Sequence, residues 1–171
     1  MKPSLLHRLD SSIRHMVPLA TTIAMLLLMV VPSRVPGFAP VVPAFLLMAV
    51  YYWAIFRPDL LPGWVAFVVG LIYDAVAGLP LGVTALVLLL THGVVASQRR
   101  FFLGNTFIVA WSAFAMVAAA AALTTMALVW AAAGRASGGE RLVVQYLLTL
   151  LLYPPMASIL ARAQVAFLRG V

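Results

Sequence analysis

Charged residues are sparse along this chain, and the long uncharged stretches between them predict its helices. Nineteen uncharged residues separate Arg14 from Arg34, 22 separate Arg34 from Arg57, and 20 separate Arg141 from Arg162. A helix needs about 20 apolar residues to cross the roughly 30 Å hydrocarbon core of a bilayer. Each of these three stretches therefore predicts one membrane-spanning helix.

The remaining stretches predict three more helices. The 39 residues between Asp59 and Arg99 contain a single charge. The cluster of helix breakers at 78–82 divides them into two short spans. The 34 uncharged residues from Arg100 to Arg135 suit one long helix with an interfacial lead-in. We therefore predict an all-α integral membrane protein, a bundle of six transmembrane helices at about residues 17–33, 38–56, 62–78, 81–97, 104–133 and 141–161. A re-entrant half-helix is the alternative for the fourth.

Composition supports this class. Hydrophobic residues make up 65% of the chain and charged residues 9%, against about half and a quarter in soluble domains. This excludes a soluble globular protein and a disordered chain, and the absence of cysteine excludes a disulfide scaffold. The eleven basic residues outnumber the four acidic ones, and they are scattered singly or in pairs along the chain. We interpret it as orienting signals and lipid headgroup contacts rather than a nucleic-acid surface.

The basic residues also predict the orientation and the division of the chain. With both termini in the cytoplasm, the outer side holds Arg34, Arg135 and Arg141, and the inner side holds Lys2, Arg8, Arg14, Arg57, Arg99, Arg100, Arg162 and Arg169. Eight basic residues on the inner side against three on the outer side follow the positive-inside rule. Residues 1–16 are predicted as a cytoplasmic amphipathic segment, with a frayed polar tail as the alternative. Residues 17–161 form a single six-helix membrane domain, and 162–171 a cytoplasmic tail.

Few residues within the predicted spans carry chemistry. Only Asp74 and His92 are ionisable residues well inside these spans, and their expected depths differ by roughly 9 Å at 1.5 Å per helical residue. Ser97 and Ser112 have no base near them in sequence, and no metal-ligand cluster, phosphate loop or cysteine nucleophile is present. We therefore predict no enzyme, no cofactor and no catalytic or metal-binding residues. For His92 we favour a hydrogen bond to a neighbouring helix over a proton relay.

Spacing of small residues predicts close helix packing. Gly70, Asp74 and Gly78 recur every four residues on one face of the third helix, and Gly82 continues the spacing past the break at Pro80. Small residues at this spacing let two helix backbones approach closely. In the last span, Pro154 and Pro155 remove two backbone donors, which predicts a kink or break.

Asp74 needs a partner within the membrane. An ionised carboxylate there costs about 3 kcal/mol on insertion scales, so it must be compensated or protonated. We predict that it accepts hydrogen bonds from the start of the fourth helix or from Thr84, joining the two short helices into one rigid hairpin. Arg34 or Arg141 is a second possible partner, and a proton or ligand site is the alternative role.

The stretch 51–58, YYWAIFRP, followed by 70–86, GLIYDAVAGLPLGVTAL, resembles MreD, the rod shape-determining membrane protein family of bacteria. The family pattern is G-L-x-x-D-x-x-x-G-x-x-L-G-x-x-A-L. The chain matches it at every fixed position: Gly70, Leu71, Asp74, Gly78, Leu81, Gly82, Ala85 and Leu86.

The resemblance implies a non-enzymatic subunit of the cell-elongation machinery in the bacterial inner membrane, which supports cell shape and peptidoglycan synthesis. Its implied partners are MreC, MreB, RodA, a class B penicillin-binding transpeptidase and membrane lipids. The implied fold is similar to the S components of energy-coupling-factor vitamin transporters. A small-molecule-binding transporter subunit is therefore the alternative function, although the predicted outer loops hold few polar or aromatic residues.

Overall fold

Helices follow one another along the whole described chain, which in this computed structural model comprises residues 5–30, 42–100, 106–133 and 139–168. We number its six main helices in chain order; no strand occurs within these residues. The helices are α1 (Leu5–Val30), α2 (Phe45–Phe56), α3 (Gly63–Ala77), α4 (Val83–Ser97), α5 (Phe107–Ala133) and α6 (Gly139–Leu168). The predicted count of six helices is confirmed.

The helices differ in length more than the sequence predicted. Within the part of the chain that the structure describes, only α5 and α6 contain segments long and apolar enough to cross a membrane alone, Phe107–Ala132 and Gly139–Ala166. Helices α2, α3 and α4 have 12 to 15 residues, or roughly 18–23 Å at 1.5 Å per residue. The second helix begins at Phe45, not at 38, because the ring of Pro43 disfavours helical backbone at the preceding residue. Residues 31–41 lie outside the described part.

Helix α2 forms the centre of the bundle. Residues 46–55 are all buried, and Trp53 and Tyr51 are completely enclosed. The helix is apolar on every side, which is typical of a helix surrounded by protein. Polar tips of its aromatic side chains bond to neighbours: Trp53 Nε1 donates to Thr21 Oγ1 of α1 at 3.0 Å, and the Tyr52 hydroxyl donates to Gln164 Oε1 of α6 at 2.8 Å.

The first and last helices extend beyond their predicted bounds. Helix α1 is continuous from Leu5, so no break separates the predicted amphipathic segment from the first span. Helix α6 continues to Leu168, past the predicted end at 161. No glycine lies within α1 or between 140 and 168, so proline is the only strong helix breaker in these stretches.

Pro154 and Pro155 do not break α6, which is assigned as one helix through both. The prolines remove the N–H groups that would bond to the carbonyls four residues earlier. One of those carbonyls has another donor, because Trp111 Nε1 of α5 lies 3.3 Å from Leu150 O. A neighbouring helix therefore supplies a hydrogen bond that α6 cannot make itself, as happens at prolines in membrane helices.

The chain connects the helices at two opposite ends of the bundle. Residues 57–62 join α2 to α3 at what we call the loop end. Residues 78–82 join α3 to α4 at what we call the turn end.

Candidate functional site

The site begins with the tight turn between α3 and α4. Gly78 ends α3 with φ 68°, and Gly82 precedes α4 with φ 98°. They have the only positive φ angles in the described residues. A left-handed backbone costs other residues about 1–2 kcal/mol, so glycine at both positions permits a reversal of direction within five residues.

The carboxylate of Asp74 joins the two helices. Its Oδ2 accepts from the backbone N–H groups of Gly82 at 3.0 Å, Thr84 at 3.0 Å and Ala85 at 3.4 Å. Its Oδ1 lies 3.1 Å from the Thr84 nitrogen. The predicted hydrogen bonds from the start of the fourth helix are confirmed.

This arrangement caps α4 from another helix. The first N–H groups of a helix have no partner within it. Ser, Thr, Asp or Asn at the N-cap usually accepts one of them, but the N-cap of α4 is Gly82, which has no side chain. Asp74 is completely buried, and it supplies the missing acceptor from one turn before the end of α3. The contacts are all with backbone groups; the suggested partner Arg34 lies outside the described residues.

Gly70 lets the backbones of α3 and α4 meet. A Cβ atom at Gly70 would lie 2.6 Å from Ala85 Cα and 2.8 Å from Ala85 N, closer than real Cβ atoms approach other heavy atoms. Ala85 itself is fully buried. The predicted close contact is thus confirmed at Gly70.

The same prediction is wrong for Gly78. A Cβ there would meet nothing within 4 Å, so it is the positive φ of the helix end, rather than a close approach, that requires glycine. Gly82 is also open. The regular spacing thus combines two physical requirements: close packing at Gly70 and a left-handed turn at Gly78 and Gly82.

The tip of the turn presents an apolar side chain outward. Leu81 is 71% exposed, whereas Pro80 beside it is half-buried. Because the glycines and Asp74 hold the backbone of this turn, Leu81 projects from a defined position.

Other predicted positions do not assemble into a reactive group. The buried Nε2 of His92 has no hydrogen-bond partner among the described residues, and its ring packs against the start of α3 at Gly63. Ser97 and Ser112 donate to carbonyls of their own helices, at 2.7 and 3.0 Å. Within the described ranges, no three His, Cys, Asp or Glu residues lie close enough to hold a metal ion together.

The predicted inner basic residues that can be placed lie towards the loop end. Arg57 ends α2 there, and Arg99 and Arg100 follow α4. Arg162 is exposed on α6, two residues before Gln164. Gln164 accepts a hydrogen bond from Tyr52, which lies in the half of α2 nearer the loop end. Arg8 and Arg14 lie within α1, but their side chains are outside the described part of the structure.

A cavity of about 610 Å³, which the sequence analysis did not predict, lies towards the turn end and is lined by residues of every helix. Its walls include Tyr73, Thr84, Gln145 and Tyr146, with Arg141 at the start of α6. These residues come from helices rather than from the predicted outer loops. Only tertiary packing brings them together. Their one signal in the sequence is that tyrosine, threonine and glutamine are polar residues within otherwise apolar spans.

The sequence model of a family described as "rod shape-determining protein MreD" matches residues 10–163. The match includes all six helices, apart from the outer residues of α1 and α6. No curated protein and no solved structure is significantly similar to the chain. The family is one of shape-determining proteins and is not a known enzyme family.

Proposed function

Since the chain belongs to the MreD family of rod shape-determining membrane proteins, we propose that it is a non-enzymatic subunit of the bacterial cell-elongation complex. In this role it supports peptidoglycan synthesis by binding MreC through its helices, and works with MreB, RodA and a class B penicillin-binding protein directly or through MreC. The observation that carries the proposal is the family match over residues 10–163.

The hairpin of α3 and α4 supports a role in binding rather than in catalysis. The buried carboxylate of Asp74 is occupied by three backbone N–H groups. A group used in this way stabilises a shape and has little capacity left for a substrate. The exposed apolar side chains of α5 and α6, such as Met116 and Leu151, offer surfaces to lipids or to the helices of partners.

We place the protein in the inner membrane, crossing it six times with both termini in the cytoplasm. The loop end, with Arg57, Arg99 and Arg100, then faces the cytoplasm as the positive-inside rule expects. The short helices α2, α3 and α4 are shorter than the roughly 30 Å hydrocarbon core. In this arrangement they cross it within the bundle, where protein surrounds much of their surface.

Purification of the tagged full-length protein in mild detergent, followed by mass spectrometry, tests the function. We expect an MreC-like protein to co-purify. Recovery of ATPase-coupling subunits instead would contradict the proposal and support a vitamin-transporter subunit. The cavity is the observation that favours this second candidate, because S components enclose their ligands in a helix bundle.

Depletion of the protein separates the same two functions in cells. We expect rounded, wide cells, because elongation fails while growth in width continues. Microscopy with and without added vitamins decides the matter, and restoration of rod shape by a vitamin would overturn the elongation role.

Fusions after residue 171 test the topology. We expect a fluorescent protein fused there to be active and alkaline phosphatase, which needs the periplasm, to be inactive. An active phosphatase would contradict six crossings with cytoplasmic termini.

A further inference from the structure

The cavity towards the turn end has the size and walls of a ligand site. Its volume of about 610 Å³ is within the range of roughly 300–1,000 Å³ that is typical of small-molecule pockets. Apolar side chains form most of its wall, among them Met29, Leu88 and Val129. An empty space of this size would forgo dispersion contacts along the whole wall, so the cavity favours an occupant with a large apolar surface.

Most polar side chains in the wall are already used by the protein. Gln145 Nε2 donates to Val42 O at 2.9 Å, and the Tyr146 hydroxyl donates to Ala115 O at 3.2 Å. The hydroxyls of Thr125 and Thr149 donate to carbonyls of their own helices, at 2.9 and 2.6 Å. A polar ligand such as a vitamin would find few free donors here, which again favours a ligand with an apolar body.

Arg141 is the single charged side chain of the described wall. Arg141 is exposed and belongs to the first turn of α6, where backbone N–H groups lack helical partners and the helix dipole attracts anions. Glu140 lies in the same turn but is exposed and outside the wall. The guanidinium group can bind a phosphate through two hydrogen bonds, so the cavity combines one cationic side chain with a largely apolar wall.

We propose that this cavity binds one anionic phospholipid, with an acyl chain along the apolar wall and the phosphate at Arg141. The site goes beyond the proposed role in elongation and is tested on the purified protein alone. Its failure would therefore leave the binding of MreC untouched.

The test is native mass spectrometry of the delipidated full-length protein in detergent. Three probes are titrated separately: phosphatidylglycerol; diacylglycerol with the same acyl chains, which lacks the phosphate; and glycerol 3-phosphate, which has the anionic group without the chains. We expect one strongly retained phosphatidylglycerol per chain, and at least about fivefold weaker retention of diacylglycerol, because it lacks the phosphate that makes the charge-assisted contact with Arg141. Equal retention of the two lipids, or retention of glycerol 3-phosphate as strong as that of phosphatidylglycerol, would overturn the proposal.

Two matched pairs of variants locate the lipid. Arg141→Gln should weaken phosphatidylglycerol retention at least about fivefold, whereas Arg162→Gln, which changes an exposed arginine outside the cavity wall, should leave retention unchanged.

The second pair changes the space in the cavity. Ala122→Phe adds a ring to the wall and should displace the lipid, whereas Ala127→Phe changes an exposed position of α5 outside the cavity and should leave retention unchanged. If Ala122→Phe does not fold, the arginine pair decides. Unchanged retention in Arg141→Gln, or in a folded Ala122→Phe, would overturn the proposal.

Discussion

Two antiparallel helix pairs in this protein are held together in different ways. In the α3–α4 pair, the backbones meet at Gly70 and Ala85, and a buried carboxylate bonds to three backbone N–H groups. In the α5–α6 pair, aromatic side chains span the space between the helices. Trp111 Nε1 donates to Leu150 O at 3.3 Å, and the rings of Phe114 and Tyr153 stack with centroids 4.0 Å apart.

The difference shows how the mode of contact determines the space between helices. Contact through glycine brings two backbones together and leaves no room for a ligand. Contact through the tips of large side chains keeps the backbones apart, and residues of this second pair form much of the cavity wall. The molecule thus combines a rigid hairpin with a more open pair of long helices.

The largest expected effect comes from removing the carboxylate. Asp74→Leu leaves three backbone N–H groups without acceptors in a buried place, so we expect a loss of at least about 3 kcal/mol of stability. Lower membrane abundance and a lower thermal midpoint in detergent would show it, together with loss of rod shape.

Asp74→Asn is the control, because one amide oxygen can replace Oδ2, which accepts three of the four contacts. We expect a mild effect. If the Asn variant abolished rod shape while abundance and partner binding stayed normal, the carboxylate would act by titration rather than by joining the helices.

The next effect concerns the backbone contact. Gly70→Ala places a Cβ 2.6 Å from Ala85 Cα, and overpacking of this kind costs about 2 kcal/mol; Gly70→Leu should cost more. Membrane abundance measures the loss, with Leu71→Ile on the exposed neighbouring position as a mild control. Because the clash is with backbone atoms, adding Ala85→Gly should not restore stability, and a full rescue would refute the backbone contact.

A smaller effect should come from the turn. Gly78→Ala places a side chain at φ 68°, which costs about 1–2 kcal/mol. Gly93→Ala is the matched control: both glycines are open, but Gly93 lies within α4, where alanine is the better helix former. Equal thermal midpoints in detergent for the two variants would contradict the need for a left-handed residue at 78.

The smallest effect should come from the open pair. Trp111→Phe keeps an aromatic side chain but removes the indole N–H that donates to Leu150 O, and we expect a loss of about 0.5–1 kcal/mol of stability. Trp130→Phe, at another exposed position of α5, should change the thermal midpoint less. If the order were reversed, the carbonyl freed by Pro154 would not depend on Trp111.

Some of the site could be predicted because its requirements are local. Asp74 and the glycines around it are close in sequence, so the helical period of about four residues and the turn at 78–82 predict where the carboxylate lies relative to α4. The same local reasoning failed at Gly78, since the spacing of small residues does not distinguish a close contact from a left-handed helix end. The continuity of α6 through Pro154 also depends on a donor from another helix, 39 residues away.

The sequence by itself determined that the chain is helical and apolar, that the described residues form six main helices, and that it belongs to the MreD family, because hydrophobic runs, charge spacing and motifs are local properties. The tertiary structure alone decided that α2 lies at the centre, that Gly70 meets Ala85, and that a cavity forms beside Arg141. In a chain that is 65% hydrophobic, nearly every helix face could pack inward. Which faces do so depends on side chains that are distant in sequence and meet only in the folded bundle.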